Sequence, residues 1–388
     1  MAAGFGPQRR FPLRLAAAWL TVAVFVFAGE ALSAIESPVI AVAEFSWLLG
    51  ITIWAAFGVV HEAEELAEML GEPLGTLILT LSIVIIEVAL ISAVMLGGSE
   101  VPTLGRDTMF AVLMIVLNGV VGLGLLIGGL HHHQQSYNLQ GASAFLAVIV
   151  PLSVIALVLP NFTESTGEGT LSAMQAVSFS VLTVVLYGLF LWLQTGRHRG
   201  FFMAVEGETA GPAAAPGQAE SGATAVAAAP TEGVPPTRES LGRHVALLLA
   251  NILPIIILSK SLAVLLDLGI AVLGAPTALG GIVIAMIVFT PEGISALRAV
   301  SADQLTRAIN LCLGAAASTL GLTVPAVLLI GLFTGQSVVL GLAPSNVVLL
   351  TTTLILSTIT FSGTRTTMLE GAVHLTLFFV FLVLVFSP

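Results

Sequence analysis

Basic residues are scarce in this sequence. Lys and Arg together number 12 among 388 residues, against 22 Asp and Glu, for a formal charge of −10. No basic stripe exists to track a phosphate backbone, so nucleic acid is not an expected partner. Cysteine is nearly absent. Cys312 stands alone in an apolar segment, which rules out a disulfide framework within the chain and a thiolate metal site. The motif inventory is equally bare. There is no dinucleotide fingerprint, no phosphate-cradling Gly-Lys-Ser/Thr loop and no nucleophile elbow. These absences argue against ATP-driven work and against an enzyme, and no resident cofactor is expected.

Charge of either sign is thin, at 9% of residues, whereas 57% are hydrophobic and the mean hydropathy is +1.05. Soluble domains carry roughly 25% charged residues, so this is an all-α polytopic membrane protein. Eleven apolar stretches are long enough for a ~30 Å hydrocarbon core. They are 13–34, 39–60, 73–96, 107–129, 141–160, 171–195, 244–266, 272–296, 305–333, 338–361 and 368–386. The first ends in Ala31-Leu32-Ser33-Ala34, which also fits a signal-peptide cleavage site. Residues 197–242 are rich in Ala, Pro, Gly, Glu and Thr and cannot bury a core, so they read as a disordered linker. The chain thus divides into an extra N-terminal helix (1–35), a first membrane repeat (36–196), the linker (197–242) and a second repeat (243–388). With the N-terminus inside, Arg9, Arg10, Arg14, Arg197, Arg199, Arg238, Arg243, Arg298, Arg307 and Arg365 all fall on the inner side. The positive-inside rule therefore puts the N-terminus and the linker in the cytoplasm.

Two stretches organise the rest. In LGTLILTLSIVIIE the glycine Gly75 precedes Glu87 by twelve residues, and in LGGIVIAMIVFTPE the glycine Gly280 precedes Glu292 by twelve. A carboxyl group this deep in a membrane costs ~3 kcal/mol to insert and marks a functional site by default. Counting spans gives the two helices opposite directions, as in the inverted repeats of secondary transporters. Setting Arg106 against Arg307 places Asn118 opposite Thr319, beside Ser318, so each glutamate helix is followed by one with small oxygen donors. A carboxylate can hold a hard cation or a proton but not both favourably, and that competition is the chemistry of an antiporter. The run HEAEELAEMLGE adds Glu62, Glu65, Glu68 and Glu72 ahead of the first glutamate helix; it suits a water-exposed helix end, and also a cation funnel, which needs no fixed ligands.

At these residues the sequence resembles the calcium/cation antiporter superfamily and, within it, the bacterial ChaA-like branch of proton-coupled cation exchangers. The resemblance rests on AEELAEMLGEPLGTLILTLSIVIIEVALI, RDTMFAVLMIVLNGVVGLGLL, NLQGASAFLAVIVPLSVIALVLPN, GGIVIAMIVFTPEGISALRAVSADQLTRAINLCLGAAASTLGLTVP and SGTRTTMLEGAVHLTLF. It implies an eleven-helix exchanger with two inverted five-helix repeats and a retained first helix, in a bacterial inner (plasma) membrane. The cargo it implies is Ca²⁺, or Na⁺ or K⁺ in this branch, moved against protons. Glu87 and Glu292 would be the ion-binding carboxylates. Expected partners are inorganic cations, protons and the bilayer, with self-association into a homo-oligomer left open. The sequence departs from the family where Gly-Asn is expected shortly before each glutamate; Ile83-Val84 and Val288-Phe289 stand there instead. Thr290-Pro291 compensates in part, because Pro291 frees a backbone carbonyl one turn earlier.

Blander readings stand beside these. Asn118 and Ser318 also suit plain helix–helix hydrogen bonding. The run His131-His132-His133 fits a solvated loop better than a metal site, because adjacent residues do not share a helix face. Glu370 suits a helix start as well as a binding role. A passive cation pathway is the alternative function. An intramembrane metal hydrolase would need a His-x-x-x-His pair within a span, and there is none.

Overall fold

Apolar runs in lipid must satisfy their backbone groups within the segment, so they form helices. The computed structural model describes residues 7–33, 38–71, 74–96, 101–164, 166–167, 169–203 and 238–387. These hold eleven helices: α1 Pro7–Ser33, α2 Pro38–Leu70, α3 Leu74–Met95, α4 Leu104–His132, α5 Leu139–Phe162, α6 Ala173–Thr195, α7 Arg238–Leu273, α8 Ala278–Ser301, α9 Leu305–Thr334, α10 Pro344–Thr360 and α11 Met368–Phe386. Nine of them are long and apolar enough to cross a membrane among the described residues; α1, apolar over Leu13–Phe27, and α10 are shorter. Glu72 and most of the linker, 204–237, lie outside the described residues.

Several boundaries differ from the sequence expectation. α2 runs on through the acidic stretch to Leu70, and both ends of the expected 197–242 linker are ordered, with a short helical turn at Arg199–Phe202 and α7 beginning at Arg238. Residues 272 and 273 complete α7 instead of opening the next span, because Gly274 adopts φ +59° and ends the helix. Likewise α10 begins at Pro344 and not at 338. Gly335 caps α9 at φ +71°, Pro344 suits a first helical position, and the segment between them is irregular, with Leu340 and Leu342 buried.

Contacts between loops sort cleanly onto two sides. On the side of the linker, Glu62 meets His244, Gln135 meets Asp303, and Asn138 meets Gly200 and Met203. Here too the short strands β1, Gln134–Ser136, and β2, Arg365–Thr367, pair antiparallel. On the far side, Arg106 reaches Gly341, Asn161 reaches Leu342, and Gln336 reaches Met95. Hence α3 runs away from the linker side and α8 runs towards it, so the repeats are inverted.

Apolar side chains gather in two buried clusters. One is built chiefly on α1, α2, α3 and α7, the other on α4, α5, α6, α9, α10 and α11, and α8 contributes to both. Close approach holds α8 in place: a Cβ on Gly281 would lie 2.6 Å from the Asp107 carbonyl carbon in α4. The glutamate helices α3 and α8 therefore meet at the seam between the clusters.

Candidate ion-binding site

Both glutamates are buried at that seam, with relative exposures of 1% for Glu87 and 8% for Glu292. Around each glutamate the helix is mainly apolar, LSIVIIEVALI in α3 and IVFTPEGISAL in α8. The donors to Glu87 come from the other half of the chain. In α9 the stretch Thr319–Thr323 is π-helical, and such wide turns frequently occur at functional sites. Thr323 Oγ1 donates to Glu87 Oε2 at 2.8 Å and Thr319 Oγ1 donates to the same oxygen at 3.2 Å. Glu87 Oε1 and Glu292 Oε2 are buried with no hydrogen-bond partner among the described residues. A buried carboxylate with open lone pairs is costly unless a cation or a proton shares it.

The two carboxyl groups lie within electrostatic reach of each other, and Glu292 also feels Glu64. Tyr187 of α6 completes the wall. Its phenol lies against Thr80 and Ser318 and feels the charge of Glu292. Its ring packs on Gly321, where a Cβ would fall 2.6 Å from the Tyr187 side chain.

The other residues expected from the sequence are placed as follows. Ser318 is buried beside Tyr187 and its hydroxyl donates to the Ala315 carbonyl at 3.0 Å. Asn118 is fully buried in the π-helical part of α4, Met114–Val120, yet its amide is engaged elsewhere. Its Nδ2 donates to Thr353 Oγ1 at 2.8 Å, and its Oδ1 lies 3.1 Å from His374 Nδ1. His374 Nε2 meets Thr360 Oγ1 at 3.0 Å, so one chain of hydrogen bonds ties α4 to α10 and α11. Thr290 is not brought to the carboxylates. Its hydroxyl donates back to the Met286 carbonyl, on a face where Met286 is exposed. Glu62 leaves the expected funnel: it is buried and pairs with His244 at 2.8 Å. Glu65 is half-buried and Glu68 exposed. The histidine run ends α4 in an exposed stretch, and Glu370 accepts the Thr367 N–H at 2.6 Å as a helix cap. Among the described residues no three His, Cys, Asp or Glu side chains form a metal-holding group.

Three residues escaped the sequence reading: Thr323, Tyr187 and Glu64. Thr323 carried a signal, since it follows Thr319 by one helical turn on the same face. Tyr187 sits on α6, which carries no acidic residue, and nothing local pointed to it.

Inverted repeats meeting at two buried carboxylates define a membrane transporter. The model of the sodium/calcium exchanger protein family matches residues 40–196 and 243–387, and the chain belongs to that family, in the calcium/cation antiporter superfamily and its ChaA-like branch. It is 36% identical over 350 residues to the sodium-potassium/proton antiporter ChaA of Escherichia coli K12, covering 90% of each chain. It is 42% identical over 340 residues to y4hA of Sinorhizobium fredii, provisionally named an ionic transporter, covering 87% of each. In fold it resembles native YfkE, with a TM-score of 0.71 at 16% identity over 97% of this chain and 100% of that one. The protein is thus a multi-pass exchanger and not an enzyme.

Proposed function

We propose that this protein is a secondary cation/proton antiporter working by alternating access, in which Glu87 and Glu292 each hold either a cation or a proton. One observation carries the reading. The two inverted helices deliver one buried carboxylate each to a common seam, and each carboxylate keeps an oxygen without a hydrogen-bond partner. Thr319 and Thr323 hydroxyls add neutral oxygens next to Glu87. The cargo is a hard cation, Ca²⁺ or one of Na⁺ and K⁺. Ca²⁺ takes six to eight oxygens, so it would draw on both carboxylates in full together with the hydroxyls. A monovalent ion asks less of the same set. We place the protein in a bacterial inner membrane with the linker side facing the cytoplasm, which agrees with the arginine distribution.

The test uses everted vesicles and a pH dye, with Ca²⁺, Na⁺, K⁺ and Mg²⁺ added separately across a pH series. Cation-driven proton flux is expected from the wild type and from neither Glu87→Gln nor Glu292→Gln, with each variant inserted normally. Because proton and cation compete, apparent cation affinity falls as pH is lowered on the side of addition, towards a limit of about tenfold per unit for each proton displaced. Wild-type exchange in both variants would sink the mechanism. A passive pathway would fail to drive cation uptake uphill from an imposed proton gradient.

A further inference from the structure

The acidic end of α2 divides by helix face. Glu62 turns towards α7, where it pairs with His244 and where the Arg14 guanidinium feels its charge. Glu64 stands about 200° further round the helix. It is half-buried and borders the stripe of Val60, Ala63 and Leu66, all of them buried. α2 also packs along α8, the Glu292 helix, and Val60, Ala63 and Leu66 share a buried cluster with Ile284, Ile287 and Val288 of that helix. The charges that act on Glu64 are Arg307, at the start of α9, and His61, Glu68 and Glu65 on its own helix. Glu64 in turn acts on Glu292, whose Oε2 has no hydrogen-bond partner among the described residues. Glu64 is thus within electrostatic reach of both the deep carboxylate of Glu292 and the Arg307 guanidinium.

We infer that Glu64 is the loading carboxylate of the linker side. It captures the incoming hard cation jointly with Glu292 before the cation reaches Glu87. Arg307, exposed at the mouth, supplies the counter-charge that Glu64 exchanges for the cation. This rests on the antiport reading and names a residue that sets cation affinity from one face alone. A solvated acid at a helix end would have no effect confined to one face, nor any dependence on the sign of charge placed there.

The experiment uses the full-length protein reconstituted in vesicles, with NaCl, KCl or CaCl₂ chosen by which drives wild-type proton flux. With salt added on the linker side, Glu64→Gln is expected to raise the apparent KM about fivefold or more and to leave the maximal rate within about twofold. Glu64→Asp keeps most of the wild-type affinity, and Arg307→Gln lowers the KM. With salt added on the opposite side, Glu64→Gln keeps the wild-type KM. A second arm guards against misfolding: Glu64→Cys is labelled with an anionic or a cationic thiol reagent, Cys312 being buried. The anionic label restores the KM and the cationic label raises it further. An unchanged KM in Glu64→Gln, an equal rise from both faces, or equal effects of the two labels would overturn the inference. A wild type with no cation-driven proton flux, or an active Glu292→Gln, would count against antiport itself.

Discussion

The two halves of the chain carry matched backbones and unmatched chemistry. In the second half, the π-helical turn of α9 offers Thr319 and Thr323 to Glu87. In the first half, the π-helical turn of α4 is its counterpart, and its Asn118 is spent on Thr353 and His374. Glu87 is therefore held by two hydroxyls, whereas Glu292 Oε2 has none. Symmetry of fold thus fixes where a polar group sits and not which neighbour it serves. His374, fully buried on α11, takes up the first half's amide and makes a strut of it. Glu87 is oriented through one oxygen, and each carboxylate keeps an oxygen with no hydrogen-bond partner among the described residues.

The largest effects are expected at the carboxylates. Glu87→Gln and Glu292→Gln should each cut kcat/KM by about 100-fold or more, some 2.7 kcal/mol of lost transition-state stabilisation, read as cation-driven proton flux. If only one of them does so, the halves differ in function as well as in surroundings. Next comes the hydroxyl pair. Thr323→Val should weaken apparent cation affinity about tenfold, near 1.4 kcal/mol for a hydrogen bond to a charged group, with Thr323→Ser restoring it. Thr319→Val should cost less, its bond being 3.2 Å against 2.8 Å. Removing the strut should show in stability instead. Asn118→Ala removes the amide shared by Thr353 and His374 and should lower the thermal stability of the purified protein by about 1–3 kcal/mol, while KM moves less than about threefold. A large loss of affinity there, with stability intact, would mean that the halves serve the ion alike. Thr290→Val removes only a bond back to the helix's own carbonyl and should change stability and transport by under about 0.5 kcal/mol.

The glutamates, their matched depth and the inversion were legible because all three follow from local hydropathy and from counting spans. Helix ends were less so. Gly274 and Pro344 set boundaries in stretches apolar enough to continue either neighbour. The partners of Glu87 were half legible: Thr319 came from aligning the repeats, but Thr323 has a glycine at the matching position, Gly122, so the alignment hid it. Asn118 was found by the same alignment, which carries no record of His374 some 256 residues further on. Glu62 and Glu64 looked alike in the acidic run. Only the packing of α2 against α7 and α8 sends one to a histidine and leaves the other within electrostatic reach of the deep carboxylate.

The bonds from Thr319 and Thr323 to Glu87 span 232 and 236 residues of sequence and join opposite halves of the molecule. In the proposed antiport, neither half would own the coordination shell. A slide of one bundle past the other would redraw the set of oxygens around the carboxylate, so the grip on the ion and the shape of the protein would change in a single event. Release would then need no separate trigger, because the geometry that opens the far side would be the one that dismantles the cage.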